Sequence, residues 1–249
     1  MAGVEGAEPH RLSFNPCDFP MIQDPPLLTI KRTWPRPERT RVGQLAGAQT
    51  GHIVDALQGR GALDARIKPL DPARSAFVGT ALPCESFADD NLAILAAIAR
   101  AQHGDVIVVQ ADAFARSAVI GDNVALMAKN AGCAALVVDG MARDLDGILG
   151  VGLPVHCRGI TPNSCVKSGP GRVGLPVVVG GVAVHAGDIV IGDRDGVVVV
   201  PQARLAEIVG RLDDIRRLEA ELQAKIRAGA THFAVVADLL ASDRIAWVE

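Results

Sequence analysis

The sequence predicts an α/β fold built on a parallel β-sheet, and three observations carry this prediction. Short, almost wholly apolar segments alternate along the middle of the chain with amphipathic segments of helical period. Strands that are buried on both faces of a parallel sheet have this apolar character. The composition agrees, because 49% of the 249 residues are hydrophobic and 26 are glycines, which suits a compact chain with many turns.

The chain before this core is predicted to be an arm and a short helical region. Residues 1–40 are rich in Pro, Arg and Asp and show little periodicity, so we expect an N-terminal arm lying on the surface or on a neighbouring subunit. Residues 42–57 carry apolar positions at helical spacing. Residues 75–82 are predicted to form a strand that Pro83 stops, because proline cannot donate a ladder hydrogen bond.

The core is predicted to follow the order helix, strand, helix, strand, loop, strand. The helices are expected at residues 91–102 and 121–130, and the strands at residues 105–110, 134–138 and 153–157. Asp89 or Asp90 can cap the first helix, since an aspartate there accepts hydrogen bonds from unpaired N–H groups. This order predicts parallel strands joined by right-handed crossovers.

The C-terminal third has a different pattern. Residues 176–201 indicate short antiparallel strands, with Gly-Gly and Asp-Gly pairs as turns. Residues 203–228 are predicted to form one long, charged, amphipathic helix, and residues 229–249 a tail. We therefore expect a main domain over residues 41–228, between the arm and the tail.

Charge and cysteine usage exclude several classes of protein. A net charge of −3 at pH 7 gives no general affinity for nucleic acid or anionic membrane. No apolar run reaches the ~20 residues that a spanning helix needs, and the N-terminus lacks the pattern of a signal peptide. The five cysteines form no Cys-x-x-Cys pair, which indicates reduced thiols. We expect a cytoplasmic protein without nucleic-acid or membrane partners.

Three charged residues are predicted to share one edge of the sheet. Asp122 begins the second helix, and Arg143 and Asp144 follow the next strand. In a right-handed strand–helix–strand unit, the start of the helix and the loop after the second strand lie on the same edge. Two carboxylates and an arginine there form a candidate pocket for an anion and a metal ion. Further donors for a substrate carboxylate are the backbone N–H groups of Gly121, Asp122, Asn123 and Val124.

The same residues also have plainer interpretations. An aspartate at the start of a helix, such as Asp122, is most often a cap. An Arg–Asp pair in a loop, such as Arg143–Asp144, is most often a solvated surface feature. Spacing alone leaves both interpretations open.

Three segments taken together resemble a known family. They are a buried strand followed by Gly-Asp-Asn-Val-Ala at 121–125, the Asp-Gly-x-x-Arg-Asp segment at 139–144, and the Gly-Asp-x-x-x-Gly-Asp-x-Asp-Gly-Val segment at 187–197. Each segment is weak alone, whereas the combination is specific. Over residues 42–228 the chain resembles the RraA-like superfamily, and within it the 4-hydroxy-4-methyl-2-oxoglutarate / 4-carboxy-4-hydroxy-2-oxoadipate aldolases.

The resemblance implies a fold, a chemistry and an assembly. The fold is a β/β/α sandwich of the swivelling-domain type with a long C-terminal helix, and members form homotrimers or hexamers with sites at the subunit interfaces. These class II pyruvate aldolases cleave 4-hydroxy-2-oxo acids with Mg²⁺ or Mn²⁺ as cofactor. Oxaloacetate decarboxylation is expected as a side activity. The implied partners are a small 2-oxo acid and further copies of the chain.

The resemblance also implies a role for each site residue. Asp144 matches the aspartate that binds the metal, and Arg143 matches the arginine that contacts the substrate and steadies the enolate. Asp122 matches the acid that supports metal-bound water. The family also uses a carboxylate from the C-terminal helix of an adjacent subunit, for which Glu219 is the candidate and Glu221 the next choice.

The departures from the family leave alternatives open. Residues 111–120 lack the glycine-rich form common in these proteins, the arm is longer and the tail is extra, so the aldol substrate is not defined. One alternative is an RraA-like regulator that binds and inhibits a ribonuclease. Another is a lyase or hydrolase of the same fold that acts on a different oxo acid. The joint presence of Asp122, Arg143 and Asp144 favours catalysis.

Overall fold

The structure is a computed structural model and describes residues 25–249. The arm predicted for residues 1–40 therefore falls only partly within the described residues, and Cys17 and the predicted lack of a signal peptide lie outside them. From residue 25 the chain forms a strand and two short helices: β1 (Leu28–Ile30), α1 (Arg39–Gly43) and α2 (Thr50–Ala56).

The centre of the chain alternates strands and helices as the sequence predicts. The elements begin with the two-residue strand β2 (Lys68–Pro69). They continue with β3 (Phe77–Ser86), α3 (Leu92–Arg100), β4 (Asp105–Ile120), α4 (Asp122–Asn130), β5 (Ala135–Ala142), α5 (Leu145–Val151) and β6 (Val155–Cys157). β3, β4, β5 and β6 lie side by side and parallel. The Asp90 carboxylate accepts a hydrogen bond from the Leu92 N–H at 2.7 Å, which caps α3.

The rest of the chain adds short strands and the C-terminal helices. They are β7 (Gly159–Ile160), β8 (Gly171–Val173), β9 (Val177–Val179), β10 (Val182–Val184), β11 (Ile189–Gly192), β12 (Val197–Val200), α6 (Leu205–Arg227) and α7 (Ala234–Leu240). The predicted antiparallel hairpins are β9–β10 and β11–β12. Ten strands form one mixed sheet, and β9–β10 forms a second. None of the helices between residues 25 and 249 combines the length and the apolar surface that crossing a bilayer requires.

Alternating side chains along the central strands pack into two different cores. Ile107 and Val109 belong to a buried cluster shared with α3 and α4. Val106 and Val108 belong to another cluster, shared with the strands from β9 to β12. Both faces of β4 are therefore buried, which explains its nearly unbroken apolar run. The layers are helices, central sheet and a second β-layer, which confirms the predicted α/β fold with its β/β/α order and long C-terminal helix.

Pro83 does not stop β3, so that prediction is wrong. Before the proline, β3 pairs with β11 through Phe77–Thr80, and after it β3 pairs with β8 through Cys84–Ser86. The missing N–H of Pro83 falls in the gap between these two ladders, so neither ladder loses a hydrogen bond. Its carbonyl oxygen, on the same side, accepts from the Gly174 N–H at 2.8 Å.

β4 and β5 run further than the sequence predicts, and this extension positions the candidate site. β4 continues from Gln110 to Ile120 with three shifts of register against β5. In this irregular part Asp112 and Ala113 adopt positive φ angles of 50° and 56°. β5 continues to Ala142, so both strands end beside the first residue of α4.

Candidate active site

A cleft of about 300 Å³ opens where β4 and β5 end. Its walls come from the starts of α3 and α4, the turn after β5 and a segment at residues 164–167. The predicted site residues that line it are Gly121, Asp122, Asn123, Val124, Arg143 and Asp144. The structure thus brings both carboxylates and the arginine to one crevice, whereas their chemical roles stay predictions.

Asp122 is the first residue of α4, and the cap position before it is Gly121, so the carboxylate is not the helix cap. Its Oδ1 accepts a hydrogen bond from the Asn123 N–H at 2.6 Å. It also lines the cleft. The Asn123 N–H donates to this carboxylate, and its predicted role as a donor to a substrate stays a prediction. The donors left at this helix start are those of the other first-turn residues.

The Arg143–Asp144 pair forms the turn between β5 and α5. The Arg143 N–H donates to the carbonyl oxygen of Ile120 at 3.0 Å, which ties the end of β5 to the end of β4. Arg143 Nε and Asp144 Oδ2 are 3.2 Å apart, and the two side chains are 41% and 43% exposed. An ion pair this exposed contributes little to stability, at most about 1 kcal/mol. Both charges are therefore accessible to a ligand.

Two glycines make room for the two carboxylates. A Cβ on Gly121 would lie 2.6 Å from Asp144 Oδ2, and a Cβ on Gly147 would lie 2.7 Å from Asp122 Oδ2. The Asp144 carboxylate therefore packs against Gly121, which precedes α4, and the Asp122 carboxylate packs against Gly147 in α5. Any side chain at either glycine would push a carboxylate away from its observed position, so the pair of glycines fixes the spacing of the acids.

Asn91 and Lys167 also line the cleft, and the sequence analysis did not identify them. Asn91 is 6% exposed, its Nδ2 donates to the Val119 carbonyl oxygen, and its Oδ1 is buried with no hydrogen-bond partner among residues 25–249. A buried acceptor without a hydrogen-bond partner costs about 1–3 kcal/mol, and this cost falls at the wall of the cleft. No local pattern identifies these two residues, because Asn91 begins a predicted helix and Lys167 lies in a segment without periodicity.

Burial raises the pKa of the Cys165 thiol, which lines the cleft. The thiol therefore stays protonated at neutral pH, and only the thiolate is a good nucleophile. This agrees with chemistry that depends on the carboxylates and cationic groups of the cleft rather than on a cysteine.

Glu219 and Glu221 do not line the cleft of their own chain. Both lie on α6, where Glu219 contacts the ring of His52 on α2 and Glu221 pairs with Arg217 at 3.2 Å. The Glu219 side chain is 38% exposed. Its predicted place beside the cleft of an adjacent subunit stays a prediction.

Asp122 and Asp144 supply the hard oxygen donors that Mg²⁺ or Mn²⁺ takes. Within residues 25–249, no three His, Cys, Asp or Glu side chains come together as a ligand cage. Proteins hold Mg²⁺ through one or two carboxylates, while water and substrate complete the coordination. Two carboxylates packed against glycines at an open cleft fit such an ion. The same pair does not form the four-ligand cage of a structural zinc site.

A family model and a protein of similar sequence both point to one family. The RraA-like family model, described as Aldolase/RraA, matches residues 50–199. A Halalkalibacterium halodurans protein named "Putative 4-hydroxy-4-methyl-2-oxoglutarate aldolase" is 37% identical over 187 residues, which are 75% of this chain and 87% of that protein.

Solved structures give the same result. A Streptomyces coelicolor protein, described as an unusual member of the RNase ES inhibitor RraA family, aligns with a TM-score of 0.69 and 30% identity, covering 77% of this chain and 99% of that one. The RNA-processing inhibitor RraA from Thermus thermophilis aligns with a TM-score of 0.57 and 28% identity, covering 62% and 93%. The chain belongs to the RraA-like family.

Proposed function

We propose that this protein is a divalent-metal-dependent aldolase that cleaves 4-hydroxy-2-oxo acids, of the 4-hydroxy-4-methyl-2-oxoglutarate type, to pyruvate and a second oxo acid. One observation carries the proposal. The Arg143 guanidinium and the Asp144 carboxylate lie 3.2 Å apart and share an open cleft with Asp122. The similarity to the Halalkalibacterium halodurans protein named for this aldolase supports the substrate class.

The cleft offers a complementary group for each polar part of such a substrate. Asp144 is the residue that would hold Mg²⁺ or Mn²⁺, and the bound cation would draw electrons from the keto group. Arg143 is suited to the carboxylate beside that keto group, because its planar guanidinium binds carboxylates with two hydrogen bonds. Lys167 adds a second positive charge, which suits a substrate with a second carboxylate.

The reaction breaks the C3–C4 bond of the substrate. The C4 hydroxyl loses its proton, C4 becomes a carbonyl carbon, and the electron pair of the broken bond passes to C3 to give the pyruvate enolate. We assign the removal of this proton to Asp122, and its return to C3 completes pyruvate. The permanent charge of Arg143 stabilises the enolate, and one well-placed group of this kind contributes about 3 kcal/mol.

Oxaloacetate decarboxylation passes through the same enolate. There the C3–C4 bond breaks with loss of carbon dioxide, and a proton added at C3 again gives pyruvate. The groups that stabilise the enolate are the same, so oxaloacetate decarboxylase activity is part of the proposal.

We further propose a homotrimer or hexamer with Glu219 acting across a subunit interface. The second half of α6 and α7 carry exposed apolar side chains, including Leu218, Ile226, Phe233 and Val235. Exposed apolar surface of this kind is typical of subunit contacts. A neighbour packed on α6 would bring its own cleft near the Glu219 carboxylate, which is half-buried against His52 in its own chain.

A regulatory binding role is the second candidate. The similarity to the Streptomyces coelicolor and Thermus thermophilis proteins, both named for inhibition of RNA processing or of an RNase, favours it. A protein that only inhibits a ribonuclease would show no turnover on any oxo acid, so an activity assay separates the two roles. A panel of oxo acids likewise separates the aldolase from another lyase of the same fold.

The first prediction concerns the metal and Asp144. With Mg²⁺, the protein should release pyruvate from 4-hydroxy-2-oxo acids and from oxaloacetate, as measured by a coupled lactate dehydrogenase assay. EDTA and Asp144→Ala should each lower the rate by about 100-fold or more, because each removes charge stabilisation of the enolate. Asp146→Ala is the matched control, since this exposed carboxylate does not line the cleft. Release that persists after both treatments would contradict the metal mechanism.

The second prediction uses two glycines of α5. Gly147→Ala should lower kcat by about tenfold or more, because the new Cβ would collide with Asp122 and overpacking displaces side chains. Gly150→Ala should leave kcat unchanged and gain up to about 1 kcal/mol of stability, because nothing lies within 4 Å of its Cβ. Steady-state kinetics and urea unfolding of both variants check this. Equal kcat values for the two variants would show that the packing of Asp122 against Gly147 has no effect on catalysis.

The third prediction tests the role of Glu219 across subunits. Glu219→Gln and Asp144→Ala should each be inactive alone, because each lacks one part of every shared site. Co-expressed chains should regain part of the activity, since some interfaces combine an intact Asp144 with an intact Glu219. Glu221→Gln should keep its activity and serves as the control. An inactive mixture, or an active Glu219→Gln protein, would rule out the shared site.

A further inference from the structure

A second polar pocket lies at the opposite end of β4 from the cleft. It has a volume of about 140 Å³ and is lined by Arg32, Thr33, Trp34, Arg36, Arg100 and Gln102. β4 begins at Asp105, beside this pocket, and ends at Ile120, beside the cleft. The two cavities share no lining residue. Residues 32–36 also lie outside the stretch that matches the family model.

The pocket gathers positive charge without a matching acid in its lining. Arg36 is neutralised, because both of its terminal nitrogens donate to the buried Asp105 carboxylate, at 2.6 and 2.8 Å. Arg100 donates to the Arg32 carbonyl oxygen at 3.0 Å, and neither Arg32 nor Arg100 forms an ion pair within residues 25–249. Two uncompensated guanidinium groups beside one pocket attract an anion.

Helix electrostatics explain only part of this arrangement. Arg100 is in the last turn of α3, where a basic side chain offsets the negative end of the helix. Arg32 belongs to no helix, and the segment that carries it is tied down by β1 on one side and by the Arg36–Asp105 pair on the other. The backbone at Arg32 is therefore held beside the pocket, and its exposed side chain has no capping role.

Trp34 forms a rigid wall of the pocket. The Arg36 Cζ lies 5.2 Å from the centroid of its ring, and a Cβ on Gly174 would lie 3.2 Å from Trp34 Cζ3. The ring is therefore held between these neighbours, and Trp34 lines the pocket beside Arg32 and Arg100.

We propose that this pocket binds a phosphate group, either as inorganic phosphate or as the terminal group of a small phosphomonoester. Guanidinium groups bind phosphate oxygens through paired hydrogen bonds, which Arg32 and Arg100 can offer from the lining of the pocket. The pocket volume of about 140 Å³ suits one tetrahedral anion. The site is independent of the aldolase proposal, because it shares no residue with the cleft.

Trp34 itself reports on binding. The chain has two tryptophans, and the other, Trp247, is 75% exposed. In a Trp247→Phe background, the emission should change saturably when inorganic phosphate is added at constant ionic strength. Glycerol phosphate is the second arm: tighter binding of this ester than of phosphate would indicate a phosphorylated metabolite, and tighter binding of phosphate would indicate the free ion. Phosphorus-31 NMR line broadening is the independent readout if the emission is insensitive.

Substitutions decide whether the pocket is the site. Arg32→Gln with Arg100→Gln should weaken phosphate binding by about tenfold or more, since both uncompensated charges are removed. Arg66→Gln is the control, because that arginine is 76% exposed and pairs with Asp64 elsewhere. Circular dichroism should show that the double variant is folded. No phosphate-specific response in either readout, a response equal to that of chloride, or an unchanged affinity in the folded double variant would overturn the proposal.

Discussion

The cleft depends on a backbone turn at Asp144. β5 stays in its ladder to Ala142, the Arg143 N–H is bonded to the end of β4, and α5 begins at Leu145. Between them Asp144 adopts the left-handed conformation, with φ 57° and ψ 48°. This conformation costs a residue with a Cβ roughly 1–2 kcal/mol, and aspartate is among the few residues that adopt it. The packed strand and helix on either side hold the turn, and the turn holds the carboxylate over Gly121.

The site contributes little to stability and much to the arrangement of charge. Its ion pair is exposed, its Asn91 oxygen has no partner among the described residues, and its Asp144 backbone is strained. Each feature costs free energy or adds almost none in the empty protein. The cores on both faces of β4 supply the stability that offsets them. Such an arrangement is typical of a binding site that a ligand completes.

The sequence was sufficient for the fold class and for the edge where the site lies. Apolar runs predicted the parallel strands, and the right-handed crossover placed Asp122, Arg143 and Asp144 together. The sequence was not sufficient where contacts between distant segments determine the structure. Pro83 continues β3 because two different strands flank it, which only the sheet order shows. Asn91 reaches the cleft through the packing of α3, which no local pattern records. The Glu219 prediction concerns another subunit, and one chain does not test it.

In the proposed mechanism, one cleft holds a cation and a guanidinium around the same enolate. Oxalate is planar and has the charge pattern of the pyruvate enolate, so it should bind both groups together. Electron paramagnetic resonance of Mn²⁺ measures its affinity with and without oxalate. We expect oxalate to tighten Mn²⁺ binding by about tenfold, a coupling of about 1.4 kcal/mol, and Arg143→Ala to remove most of this coupling. Mn²⁺ affinity that does not change when oxalate is added to the unaltered protein would contradict this mechanism.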